Sequence, residues 1–210
     1  MPASGYPVPS GVCQTQACSF KNSRFIGTAG PAVNVAAAQE FINSVRDRCP
    51  GASHHVYAFS VGYGATVTEG MSDDGELPGT AGRPVLAVVK GSGLGDVVVV
   101  VSRFFGGTKL GTGGLVKAYT QTAQQVLGEL QTTRKIERIN ATLHVPYNVH
   151  AACRRALEQA GAIVRSETFD AQVTMELLVA EEDRHVLVEA VTEASAGMAK
   201  LTVHDAADAP

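Results

Sequence analysis

Residues 97–101 are five consecutive valines, inside the run DVVVVVSRF. A strand with one face in water alternates apolar and polar residues, so this uninterrupted run predicts a strand buried on both faces. Helices are read on either side of it along the chain. Asn34 is placed to cap a helix through VAAAQEFINSVRDRC, where Val35, Ala38, Phe41, Ile42 and Val45 recur at helical spacing until Pro50-Gly51 stops it. A second helix is expected from Pro84 to Lys90, capped by Thr80 and closed by Gly91 and Gly93. A third runs from about Gly114 to Leu130, with Leu115, Ala118, Tyr119, Thr122, Ala123, Val126 and Leu127 on one stripe. Residues 19–28 and 55–64 read as strands, and 65–70 as a partner returning along the second.

The polar stretch QTTRKIERIN at 131–140 interrupts this pattern, which then restarts. ATLHVPY, AIVRSETF, AQVTMELLVA and MAKLTVHD read as strands. NVHAACRRALEQAG and EEDRHVLVEAVTEASAG read as helices. The order β-α-β-β-α-β is that of a ferredoxin-like domain. The chain is therefore expected to be α+β, with one domain over 1–135 and a ferredoxin-like one over 136–210. Charge divides at the same place. The first 135 residues hold 11 Lys and Arg against 8 Asp and Glu, and the remainder 6 against 12. Any role in binding anions is assigned to the first domain.

No run approaches the 18 or so apolar residues of a membrane span. The opening MPASGYPVPSGVCQTQACSF lacks the basic and apolar regions of a signal peptide, so a cytoplasmic protein is expected. Cys13 and Cys18 stand apart from other ligands and, with Cys49 and Cys153, read as free thiols.

Two stretches carry the residues that chemistry needs. SRFFGGTKLGTGGLVK (102–117) lies between the valine strand and a helix, where backbone N–H groups and the helix dipole favour an anion. Gly111, Gly113 and Gly114 suit a nest of N–H groups, and Lys109 and Lys117 add charge. Neither phosphate-loop pattern fits: Leu115 follows Gly114 where a P-loop needs Lys and Ser or Thr, and the dinucleotide spacing is absent. A purely structural turn is the competing reading. In SDDGELPGTAG, the carboxylates Asp73, Asp74 and Glu76 suit either Mg²⁺ and acid–base work or capping of backbone N–H groups with pairing to Arg83 and Arg103. Capping is preferred because oxygen ligands are few. His54 and His55 point to opposite strand faces and do not easily join one site. No hydrolase motif is present.

These residues resemble a known family. SRFIG, ASHHVYAF, DDGELPGTAGRPVL and VVVSRFFGGTKLGTGGLVKAY, followed by the βαββαβ pattern, resemble the YigZ/IMPACT family from about residue 20 to residue 205. Gly79, Thr80 and Gly82 belong to the first glycine motif, Gly106 and Gly107 to the second. Leu77 stands where the family has proline after DDGE, and Pro78 follows it. The chain has no room for the RWD domain of eukaryotic members and resembles the bacterial two-domain form. The resemblance implies a first domain like domain IV of elongation factor G and a small-subunit ribosomal protein, and a second like domain V of that factor. It also implies contact with RNA or the ribosome and a part in regulating translation or a stress response, as eukaryotic members modulate translation under amino-acid starvation. Arg83, Arg103, Lys109 and Lys117 would then meet phosphates, with no enzyme activity and no cofactor. Against an RNA role stand the absence of tryptophan and of a stacking run; Phe104 and Phe105 are the only aromatic candidates. One alternative is an Mg²⁺-dependent enzyme binding a phosphate or nucleotide, with Asp74 or Glu76 as base. Another is a protein adaptor using the acidic second domain. A proline dipeptidase, a label some members carry, finds no dinuclear metal set here.

Overall fold

A computed structural model describes residues 5–64 and 66–204. The start of the first expected domain, the first residue of the expected strand at 65–70, and the end of the second domain with the last residue of its last strand lie outside the described residues. The chain divides into two compact units, Tyr6–Lys135 and a second beginning at Ile136. The class is α+β.

In the first unit the strands β1 (Tyr6–Pro9), β2 (Cys13–Gln14), β3 (Cys18–Phe20), β4 (Ser23–Pro31), β5 (His54–Tyr63), β6 (Thr66–Ser72), β7 (Val97–Phe104) and β8 (Thr132–Lys135) accompany helices α1 (Val35–Arg48), α2 (Gly82–Gly91) and α3 (Thr112–Glu129). The main sheet runs β2-β4-β7-β5-β6, with β3 also paired to β4 and every pairing antiparallel. The valine strand β7 lies between β4 and β5. Val97, Val99 and Val101 face a core with α2 and α3, which contribute Val85, Val89, Leu115, Ala118, Tyr119, Ala123 and Val126. Val98 and Val100 face the opposite way, onto Ala38, Ile42 and Val45 of α1 and onto Phe59. The absence of alternation in the sequence thus reflects helices on both faces.

Asn34 caps α1 as expected, its Oδ1 accepting from the Ala37 N–H at 2.7 Å. Thr80 does not cap α2. Its hydroxyl donates to the Leu77 carbonyl at 2.7 Å, and Ala81 takes the cap position without a side-chain bond. Strands β1 and β8, which the sequence did not mark, pair antiparallel as a separate ribbon. Asp96 is buried beneath them. It accepts from the Tyr6 hydroxyl at 2.9 Å, from the Lys135 ammonium at 2.5 Å and from the Gly62 N–H at 2.8 Å. Burial alone pushes the Asp96 carboxyl up, but Lys135, Gly62 and Tyr6 together hold it below the usual carboxylate range.

The second unit has β9 (Arg138–Val145), α4 (Tyr147–Gln159), β10 (Ile163–Phe169), β11 (Val173–Ala180), a 3₁₀ turn (Glu181–Asp183), α5 (Arg184–Ser195) and β12 (Lys200–His204). Its antiparallel sheet runs β10-β11-β9-β12, the ferredoxin-like order. Leu143, Leu157, Met175, Leu177 and Leu187 centre its core. Among the described residues, no helix is long and apolar enough to cross a membrane.

Candidate functional site

The acidic loop leaves the end of β6 and must deliver α2 against the sheet. It turns through Asp74, in the left-handed region at φ 45°, and Gly75. Asp73 then accepts three backbone N–H groups: Gly79 at 2.8 Å on Oδ2, and Ala81 at 3.1 Å and Gly82 at 2.8 Å on Oδ1. A carboxylate from outside the helix therefore does the capping that Thr80 does not. Burial pushes the Asp73 carboxyl up, yet these three N–H groups and the charge of Arg83 outweigh it and hold it below its ordinary value. Arg83 itself is exposed in the first turn of α2.

Asp74 turns to α1 and β5. It accepts from Arg46 Nη2 at 2.8 Å and from the His55 N–H at 2.6 Å. Arg46 was not among the residues singled out from the sequence, because a basic residue in the last turn of a helix is common and says nothing about a loop distant in sequence. The two histidines part as strand geometry requires. The His54 Nδ1 lies 2.8 Å from the Asp74 carbonyl, while the His55 Nδ1 lies 3.0 Å from the Ser102 hydroxyl. Since a carbonyl only accepts, Nδ1 of His54 carries the proton there.

Glu76 points inward. Its Oε1 accepts from Arg103 Nη1 at 2.6 Å and from the Tyr119 hydroxyl at 2.7 Å, and His54 Nε2 stands 3.9 Å away. The side chains of Arg103 and Glu76 are only 6% and 5% exposed. Arg103 also donates to the Ser23 hydroxyl at 3.3 Å and lies near the rings of Phe25 and Phe105, while its Nε has no partner. Burial pushes the Tyr119 hydroxyl pKa up, and the carboxylate beside it adds to that. Arg103 is an internal counter-ion, which agrees with the expected pairing to the acidic loop and not with a surface contact to phosphate. Its place at the end of an all-valine strand was the available signal. Tyr119, legible only as one more residue on the α3 stripe, is the hydroxyl that holds Glu76.

The glycine loop follows β7. Gly106 passes so close to the Asn22 backbone that a Cβ would lie 1.8 Å from its carbonyl oxygen, so only glycine fits. Gly111 turns the chain into α3 with φ 75°, and the N–H groups of Thr112, Gly113 and Gly114 open the helix with no intrahelical acceptor. No acidic residue lies in that first turn. Lys109 on the loop and Lys117 on α3 are exposed. Gly79 and Gly82 serve the Asp73 cap, and Gly107 lies beside Gly106 in the turn. Between the two loops opens a cleft of about 450 Å³. Leu77, Phe105, Leu110 and Leu115 supply its apolar lining, Glu76 and Arg103 its buried polar end, and Ser53, His54, Lys109 and Gly111 the rest. Phe105 is half exposed, whereas Phe104 is partly covered and lies under the guanidinium of Arg24.

This chemistry favours an anion at the mouth and an uncharged, partly apolar group within. Each of the three carboxylates is already held by its own partners. Among the described residues no three His, Cys, Asp or Glu side chains form a group that would hold a metal ion. The turn is itself testable. Gly106→Ala is expected to destabilise the protein by roughly 1–3 kcal/mol, because backbone and not a pliable side chain must give way. Gly113→Ala, in open space within the helix, is expected to gain up to about 1 kcal/mol. Urea midpoints separate the two; equal effects would mean that the Asn22 approach is not a constraint.

Residues 21–127 match the Impact N-terminal domain family, and residues 143–198 match a domain of unknown function, DUF1949. The chain is 43% identical over 150 residues to the IMPACT family member YigZ of Escherichia coli (strain K12), spanning 70% of this chain and 74% of that protein. It is 34% identical over 179 residues to an IMPACT family member of Haemophilus influenzae, spanning 85% and 87%. The crystal structure of a hypothetical protein superposes with a TM-score of 0.68 at 33% identity, covering 97% of this chain and 98% of that one.

Proposed function

The chain belongs to the IMPACT family, and on that premise we propose that it binds the phosphate backbone of RNA, with the ribosome as the setting and regulation of translation as the role. One observation carries this reading. The acidic loop and the glycine loop share a cleft, yet their charges are used differently. Asp73 is occupied by backbone N–H groups, Asp74 is paired with Arg46, and Glu76 is paired internally with Arg103. Lys109 and Lys117 are exposed beside the open N–H groups of α3. The lysines are thus left open to an anion although the sequence here is rich in acidic residues. The net charge of +3 over the first 135 residues agrees with that. The translational setting is what membership of this family implies, its domains being expected to be like those of an elongation factor.

Phosphate contacts release counter-ions, so binding should weaken steeply with salt. Co-sedimentation with ribosomes at low salt, lost as salt rises, is the expected result. Lys109→Ala with Lys117→Ala should lower affinity for a single-stranded RNA and reduce the salt slope by about 1.4, from roughly 0.7 for each contact removed. Both side chains are exposed, so stability should change by no more than about 0.5 kcal/mol for each. An unchanged slope would remove the two lysines from the interface.

A further inference from the structure

We propose that the cleft between the acidic and glycine loops takes one unstacked base of the bound RNA strand, selecting bases that carry an exocyclic amino group. This rests on the backbone reading above and adds a specific pocket to it. Three features point there. First, both hydrogen bonds accepted by Glu76 end on Oε1; Oε2 accepts none and is not sealed from solvent. A side chain that is 95% buried therefore presents an unused carboxylate oxygen to the cleft it lines. Such an oxygen calls for an N–H donor from a ligand.

Second, the sides are apolar. Phe105, half exposed, leaves ring surface for a base to stack on, and Leu77, also half exposed, and Leu110 provide further apolar lining. Phe105 rests near the Arg103 guanidinium, 5.3 Å from Cζ to ring centroid, which restrains its position. The volume of about 450 Å³ is suited to a small planar group. Third, Lys109 and Gly111, the latter at the start of α3, are among the exposed residues of the cleft. A base inside would leave its phosphate among these groups, the arrangement of a strand running past with one nucleotide turned in.

Cytosine and uracil separate this from stacking alone. They match in size, but cytosine offers an amino group to Glu76, whereas uracil offers only a ring N–H flanked by carbonyl oxygens that a carboxylate repels. The test is fluorescence anisotropy of the full chain with labelled C12 and U12 oligoribonucleotides at low salt. C12 is expected to bind about tenfold more tightly than U12. Phe105→Ala, at a half-exposed position the fold tolerates, is expected to weaken C12 about tenfold and so erase the difference. Thermal melts of that variant report whether it remains folded.

Equal binding of C12 and U12, both weakened by Lys109→Ala with Lys117→Ala, would overturn base capture and leave the backbone reading intact. No binding of either oligonucleotide at low salt would overturn both. Cytidine monophosphate binding as tightly as C12 would overturn the assignment to a strand, since the pocket would then serve a free nucleotide.

Discussion

Arg103→Met lowers the unfolding free energy of this protein by roughly 3–5 kcal/mol, and Glu76→Leu by a similar amount, as expected when one partner of a buried ion pair is removed. Each single change strands a largely buried charge beside Phe25, Phe105 and Tyr119 without its counter-ion. Arg103→Met with Glu76→Leu together should recover most of the loss, because two packed apolar side chains replace a desolvated pair at little net cost. The Ser23 and Tyr119 hydroxyls, each bonded to one member, set how much remains unrecovered. Urea denaturation of the three variants closes the cycle. Single losses below about 1 kcal/mol would mean the pair behaves as an exposed one.

Asp73→Ala is expected to cost about 3 kcal/mol, since three backbone N–H groups at the start of α2 lose a charged acceptor at once. Asp73→Asn, which keeps one acceptor oxygen, should cost less. The same carboxylate sets a pH dependence. Its folded-state pKa is held below the ordinary 3.8, so its contribution is fully present above that value. The contribution fades as pH falls through the lower folded-state value, where the N–H groups must release a protonated acid. Thermal melts followed downward from neutral pH should show the wild type losing stability below pH about 4, with Asp73→Ala losing less over the same interval. Parallel curves would assign the acid sensitivity to other groups.

How far the sequence reaches is clear from particular elements. The valine run, the α1 cap at Asn34 and the βαββαβ order were all legible, because burial leaves a periodic or continuous apolar trace. Strand β8 was not. Thr132, Thr133 and Arg134 are exposed, and the strand exists because its backbone pairs with β1, a relation no local pattern records. The acidic loop was read in kind but not in detail. Capping and arginine pairing are what its carboxylates do, but Arg46 rather than Arg83 takes Asp74, and Asp73 rather than Thr80 caps α2. Such assignments depend on which side chains converge from three elements. The question of turn or anion nest at Gly111–Gly114 divides in the same way. Gly106 answers to steric closeness alone, and the helix start supplies the open N–H groups that the proposed function uses.

The β1–β8 ribbon has a consequence for the order in which the protein comes into being. Chain synthesis releases Tyr6 long before Lys135, yet the two are register partners and both hold Asp96. While the chain is still being made, β1 has no strand to pair with and Asp96 has no ammonium. The first unit therefore cannot complete itself until its last strand emerges and returns to its first. A nascent chain stopped before Lys135 would leave the Asp96 carboxylate at that seam without its ammonium, held only by the groups released earlier.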